Sequence, residues 1–230
     1  MSDHVASVQP EDVGIRGANP WDDRAESYRT SKAHSSGPDL DLLVEWASGA
    51  RTALDVATGG GHVARRLREA GLEVVTCDPS PGMRPDVVCR AEDLPFADES
   101  FDVVACRIAA HHFADVGAAM VELGRVSRHS VLVVDNLHGG PELERAEKLR
   151  DPSHVRAYSE DEWRGLAEGA GLRIEEIALF EKTIELEPWL ARTGCVGDEA
   201  RQVRSLLATA GRIRDGRLVL DRIALKAVRS

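Results

Sequence analysis

Apolar residues along this chain fall into two alternating kinds of stretch: short continuous runs, and longer ones in which they recur every three or four positions. After Pro38, the residues Leu40, Leu43, Val44, Trp46 and Ala47 mark a helical face. The apolar run 52–57 predicts a first strand, and Val63, Ala64 and Leu67 predict a helix ending at Gly71. The alternation continues with strands over 73–77, 86–89, 101–107 and 131–135 and with helices over 115–126 and 160–170. A long strand within 172–186, a helical stretch over 199–210 and a closing strand over 218–228 follow, with Asp215 and Gly216 marking the last turn. After strand two, P-S-P-G-M-R-P holds three prolines, which exclude a crossover helix and leave a loop. Strand–helix units in this order predict an α/β fold, a doubly wound, mostly parallel sheet with an antiparallel edge.

At 230 residues with 43% hydrophobic content, the chain is long enough for one domain, expected over 21–230. Residues 1–20 are polar and carry Pro10, Gly14, Gly17 and Pro20, the composition of a mobile segment. Directly after them, Trp21, Ala25 and Tyr28 share one helical face, so 21–37 either packs on the domain or forms a lid over a ligand. The formal charge of -10, with no long basic cluster, argues against nucleic acid and acidic membrane surfaces as partners. Cys77, Cys89, Cys106 and Cys195 form no C-x-x-C pair, and no signal-type or spanning apolar run is present, so a cytoplasmic location is expected.

The chemistry concentrates at 52–65, T-A-L-D-V-A-T-G-G-G-H-V-A-R, where an apolar run breaks into three glycines and then a helix. A turn of that kind brings a ligand against main-chain N–H groups. Gly59, Gly61 and Ala64 satisfy G-x-G-x-x-[GA], with Asp78 about a crossover further on, so an NAD(P)-dependent oxidoreductase is formally open. Asp55 discriminates. An acid near the end of a buried strand is costly unless paired; an ammonium-bearing ligand would pair it and a pyrophosphate would repel it. The same Asp can also cap the amides of the turn.

Four segments in order, W-D-D-R-A-E-S-Y, L-D-V-A-T-G-G-G-H-V-A, C-D-P-S-P-G-M and A-E-D-L-P-F-A-D-E-S-F-D-V-V, resemble the type 11 class I S-adenosylmethionine-dependent methyltransferases, a group that includes ubiquinone and menaquinone C-methyltransferases. The likeness covers most of 21–172. It implies a Rossmann-like seven-stranded sheet with a reversed last strand, and S-adenosylmethionine as cofactor. It also implies that the methionine end lies on Asp55, Ala57, Thr58, Gly59 and Gly61, the ribose diol on Asp78, and the adenine beside Pro79, Met83, Ala91 and Glu92. Three departures stand out. Ala57 replaces the first glycine of the pattern, the helix after strand two is missing, and Arg90 stands where an acid often holds the adenine amino group, a contact left to Asp93 or a backbone carbonyl.

Ligands of open α/β sheets bind beyond the carboxyl ends of the strands, at the switch point of strands one and four. Arg107, grouped with the cofactor residues, stands at that edge with Ile108, His111, His112 and Phe113, while Asn136 and His138 leave strand five on the same side. Trp21, Tyr28 and the region 137–158 would shape an acceptor pocket. His111 and His112 are the candidate bases, since imidazole titrates near neutrality; they are equally readable as loop histidines with structural partners. Asp135-Asn136 lacks a matching acid after strand four, so no metal site is expected. The expected activity is methyl transfer to a small organic acceptor, with a domain that binds S-adenosylmethionine without catalysis as a further alternative.

Overall fold

In the computed structural model, residues 21–22, 25–29 and 35–229 are described; the segment 1–20, expected to be mobile, lies outside them, as do 23–24 and 30–34. Strand β1 (Thr52–Val56) pairs in parallel with β2 (Glu73–Asp78) on one side and β4 (Phe101–Arg107) on the other. Beyond β2 lies β3 (Val87–Val88), and beyond β4 lies β5 (Ser127–Asn136), both parallel. The last long strand, β8 (Arg217–Arg229), runs antiparallel between β5 and β6 (Leu172–Glu185). The resulting order is β3-β2-β1-β4-β5-β8-β6. Seven strands lie on this path, as the resemblance implied, and an eighth, β7 (Ile213–Arg214), is a two-residue hairpin arm on β8. Asp215 (φ 50) and Gly216 (φ 73) form its turn, both in the left-handed region that a two-residue hairpin favours.

Because strand side chains alternate, neighbouring residues feed two different cores. Leu54, Val56, Val104, Cys106 and Val131 pack with Met120 and Leu123 of α4 (Val116–Val126) and Trp163 of α6 (Glu160–Gly169). Ala53, Val103, Ala105 and Leu132 face the other way, onto Leu40 and Leu43 of α2 (Pro38–Trp46) and Val63 and Leu67 of α3 (His62–Glu69). A third apolar cluster joins α5 (Pro141–Arg150), α7 (Leu186–Ala191) and α8 (Gly197–Thr209) to Ile184, Leu218 and Leu220.

Three boundaries differ from expectation. The third strand is two residues rather than 86–89: the Asp86 N–H donates to Thr76 Oγ1 at 2.9 Å instead of into the ladder, and its carboxylate accepts from the Thr76 N–H and hydroxyl at 2.9 and 2.8 Å. The fifth strand begins at Ser127, directly where α4 ends. Helices α5 and α7 were not anticipated: α5 lies in the stretch reserved for the pocket, and α7 is six residues long with Pro188 inside it.

One buried ion group ties helix to sheet. Asp39 of α2 is 0% exposed; its Oδ2 accepts from Arg107 Nε at 2.7 Å and lies 2.5 Å from Arg107 Nη2 and 3.2 Å from Arg222 Nη1. Removing one member of a buried pair leaves an uncompensated charge, worth about 3–5 kcal/mol. Asp39→Asn should therefore lower urea-unfolding stability by about that much, whereas Asp41→Asn, whose partner Arg66 is at the surface, should change it by less than about 1 kcal/mol.

Candidate active site

The strand-to-helix turn after β1 is built on left-handed backbone: Ala57, Gly59 and Gly61 have φ of 53°, 51° and 71°. Ala57 holds this conformation although it carries a Cβ, a cost of order 1 kcal/mol found where a site dictates the backbone. Gly60 meets a different demand, since a Cβ there would sit 2.6 Å from the carbonyl oxygen of Tyr28 in α1 (Ala25–Arg29). Two carboxylates hold the turn from beneath. Asp55 Oδ2 accepts from Thr58 Oγ1 at 2.6 Å and from the Ala64 N–H at 3.0 Å, so it does cap the turn. Asp78 accepts from the N–H groups of Gly59 (3.0 Å) and Ser80 (2.9 Å). Burial pushes Asp55 up to about 6 and raises Asp78 above its ordinary range.

Above the strand ends lies a cavity of about 340 Å³. Asp55, Ala57, Thr58, Gly59, Asp78, Pro79, Met83, Ala91 and Glu92 line it, and so do Arg107, Ile108, His111, His112, Phe113, Asn136, Trp21 and Tyr28. Ile108, a β-branched residue, has φ 54, a strained conformation at the mouth of β4. Three residues expected in the site do not line the cavity. Gly61 turns into the start of α3, its N–H donating to Thr58 O. Asp93 is drawn into a backbone bridge with Arg90. His138 is 39% exposed at its side chain, with Nδ1 3.9 Å from Glu144. Two that do line it have partners of their own: Arg107 is bonded to Asp39, and Glu92 Oε1 accepts from the Ala114 and Asp115 N–H groups at 2.9 and 3.3 Å.

The two adjacent histidines, in the 3₁₀ turn Ala110–His112, differ sharply. His111 Nδ1 lies 2.5 Å from Asp135 Oδ1, and its backbone N–H donates to Asp135 Oδ2 at 3.0 Å. Burial alone would lower the His111 pKa, but the charge and hydrogen bond of Asp135 outweigh it and raise the value above 6.5. Burial would likewise raise Asp135, yet His111 holds it below 3.8. This carboxylate orients the ring and leaves Nε2 as the free end. Burial and the neighbouring His111 push His112 down to about 3. Its Nδ1 lies 3.0 Å from the Ser153 carbonyl, which fixes Nδ1 as the donor and Nε2 as the lone-pair end. Trp21 stacks edge-on to His112 with centroids 4.7 Å apart, and Tyr28 O accepts from His62 Nε2 at 3.0 Å.

Of the far wall, the region 137–158 was expected to contribute, and Glu147 and Arg150 do line the cavity; the residues after it were not anticipated. Glu147 and Arg150 come from α5, Trp189 from α7, Arg192 from just after it, Ile184 from β6, and Leu220 and Arg222 from β8. One of these had a readable signal: Asp221 and Arg222 together interrupt the apolar residues of the closing strand, and strand alternation turns one of two adjacent charges inward, where it needs a buried partner. His154, assigned no context from sequence, is buried and stacks 5.4 Å from His111, with Glu144 and Glu147 at its two nitrogens.

Residues 54–134 match a family described as a methyltransferase domain, type 11. The uncharacterized methyltransferase YcgJ of Bacillus subtilis is 32% identical over 211 residues, covering 80% of this chain and 82% of YcgJ. A demethylmenaquinone methyltransferase of Beutenbergia cavernae is 36% identical over 137 residues, 52% of this chain and 55% of that protein. Among solved structures, a Bacillus halodurans protein described as a methyltransferase has a TM-score of 0.76 at 30% identity, covering 84% of this chain and 99% of the other.

The histidine pair gives a titration that can be read directly. A histidine held above 6.5 contributes its ionic stabilisation in full below 6.5 and loses it as pH rises through the raised value; an aspartate held below 3.8 contributes above 3.8. The His111–Asp135 pair is therefore at full strength between 3.8 and 6.5. In a nitrogen-15 NMR titration, His111 should show a midpoint above 6.5, and His112 should stay neutral down to about 3. Asp135→Asn should bring the His111 midpoint below 6.5, since burial is then unopposed; a wild-type midpoint already below 6.5 would contradict the pairing.

Proposed function

We propose, for a chain that belongs to the type 11 class I S-adenosylmethionine-dependent methyltransferases and takes S-adenosylmethionine as its methyl donor, that the acceptor is a small organic molecule. Family membership decides between the two chemistries of the glycine turn against a nicotinamide cofactor. The observation that carries the small-acceptor reading is the lining of the cavity. Trp21, Tyr28, Ile184, Trp189 and Leu220 give a concave space of about 340 Å³ a largely apolar wall, the kind of site that suits a small molecule. A net charge of -10 also disfavours a polyanion. Four free cysteines suit a cytoplasmic setting, and no described helix is long and apolar enough to cross a membrane.

The residues at the glycine end fit the donor. A Cβ at Gly59 would meet only the Ala57 carbonyl oxygen, at 4.0 Å, so the turn faces open space. In the reading proposed here, Asp55 with Ala57, Thr58 and Gly59 holds the methionine portion, Asp78 accepts from the ribose hydroxyls, and Pro79, Met83, Ala91 and Glu92 flank the adenine. Asp55, raised to about 6, would be drawn back to its charged form by an ammonium group. S-Adenosylmethionine would supply a methyl group carried on a sulfonium, for in-line transfer to the acceptor's nucleophilic atom with S-adenosylhomocysteine as the leaving group. The protein's share is alignment, exclusion of water and, for an acceptor with a hydroxyl or thiol, removal of a proton. His111 Nε2 is the base we assign, because its raised pKa matches the proton it must hold; His112, at about 3, is too weak and instead walls the pocket with Trp21.

Incubating the protein with methyl-tritiated S-adenosylmethionine and fractionated cell extract should label the low-mass fraction; label in protein or RNA would overturn the proposal. Asp78→Ala should weaken S-adenosylhomocysteine binding by about 1.5–3 kcal/mol in calorimetry, for loss of two charge-assisted hydrogen bonds. With an acceptor in hand, His111→Asn should lower kcat by about 10²- to 10⁴-fold. Wild-type kcat should climb as pH rises through a value above 6.5, because the base must be neutral to act. A rate independent of pH above about 3 would point to His112 instead.

A further inference from the structure

The two ends of the cavity carry opposite charge. Toward the glycine turn, Asp55, Asp78 and Glu92 face it with Arg90, and Arg107 acts on Asp55 from the end of β4; toward the far wall Arg150, Arg192 and Arg222 face it with Glu147. In a chain of net charge -10, composition does not explain a cationic pocket. Guanidinium groups removed from water need a counter-charge. Arg107 and Arg222 share Asp39.

The other two are less well provided for. Among the described residues Arg192 has no carboxylate within ion-pair distance; its guanidinium carbon lies 6.0 Å from the Tyr28 ring centroid. Arg150 is 9% exposed and sits 4.1 Å over the Trp189 ring. Its counter-charge is the buried Asp151, at 3.4 Å from Nη2 to Oδ2, a carboxylate that Ser153 also uses at 2.6 Å, and it also donates to Trp189 O at 3.3 Å. Arg150 Nε has no hydrogen-bond partner among the described residues. The surfaces beside these two arginines are apolar, formed by Trp189, Ile184 and Leu220.

We infer that the methyl acceptor is an organic carboxylate, its anionic group held by Arg150 and Arg192 and its apolar body against Trp189, Ile184 and Leu220. This rests on the small-acceptor reading above and sharpens it. A planar carboxylate matches the guanidinium fork and satisfies both groups at once. A phosphate ester uses the same fork but brings a second negative charge to a wall where Glu147 also faces the cavity, so inorganic phosphate is the contrasting arm of the test. The carboxylate is an anchor and is not itself methylated; the reacting atom lies toward His111, on the side of the cavity nearest the strand ends. Burial, with the like charge of Arg150 nearby, pulls the Arg192 pKa below its ordinary value, and an arriving anion relieves both effects.

The test is a matched series of aryl and alkyl carboxylates, the corresponding carboxamides, and inorganic phosphate, each titrated by tryptophan fluorescence and ligand-observed NMR into protein with and without S-adenosylhomocysteine. Carboxylates should bind at least about tenfold more tightly than their carboxamides, and Arg192→Gln should remove about that factor, with partial recovery in Arg192→Lys. Arg192 is partly exposed, so its replacement leaves the core intact; Arg150→Gln is the companion variant. S-Adenosylhomocysteine affinity should be unchanged in all three. Equal binding of carboxamides, no binding by any carboxylate, phosphate binding more tightly than the series, or full carboxylate binding in both Gln variants would each overturn the inference. Carboxylate selectivity in a protein that labels only RNA or protein would instead overturn the small-acceptor reading alone.

Discussion

A single carboxylate between two guanidinium groups fixes where the strands of this sheet end. Arg107 closes β4, and Arg222 stands on β8 opposite Asn136 of β5, so the two cations straddle the strand between them. Left to themselves they would repel and draw water into the sheet. Asp39, carried in by α2, converts that repulsion into a clamp across three strands, and Arg222 Nε donates to Asn136 Oδ1 at 3.2 Å within the same group. Helix α2 is in turn linked to α3 through Asp41 and Arg66 at 2.7 Å. The floor of the acceptor end and the seat of the glycine turn are therefore coupled through one helix.

At the glycine end the same physics runs with the signs reversed. Asp55 and Asp78 are buried carboxylates whose hydrogen bonds come from a hydroxyl and three backbone N–H groups, with no cation bonded to either among the described residues. Their raised pKa values record the cost of desolvation. The two acids hold the turn, and their burial also leaves them open to stabilisation by a positive charge. Of the three left-handed residues within five positions, Ala57 alone carries strain, which a well-held turn sustains.

How much of this was legible depends on distance along the chain. The turn from Asp55 to Gly59 and the acid Asp78 were readable because strand, turn and helix are contiguous and each carries a local signature. His111 and His112 were readable as a pair at a strand end, but not as a strong base beside a weak one, since that difference comes from Asp135 on the neighbouring strand and from Ser153 beyond α5. Asp39 lies 68 residues before Arg107 and 183 before Arg222, so no local pattern announced their union. Gly61 matched the glycine pattern and Asp93 was offered in place of the acid missing at Arg90, yet neither lines the cavity. The region 137–158 was readable as pocket wall but not as a helix, and Ile184, Trp189, Arg192, Leu220 and Arg222 went unread because they reach the cavity through a third apolar cluster of short helices and through arginines that look, in sequence, like solvated charges.

The segment of Trp21 and α1 meets both sides of the cavity by different means. The Tyr28 carbonyl bonds His62 and lies over Gly60 at the turn, Arg29 donates to the Gly82 carbonyl at 2.8 Å, and Trp21, outside the helix, sets its ring against His112. Hydrogen bonds hold the glycine side and a ring edge holds the histidine side. A hydrogen bond fixes a direction and a distance, a ring edge only a spacing, so one segment sets the turn tightly and the imidazole loosely.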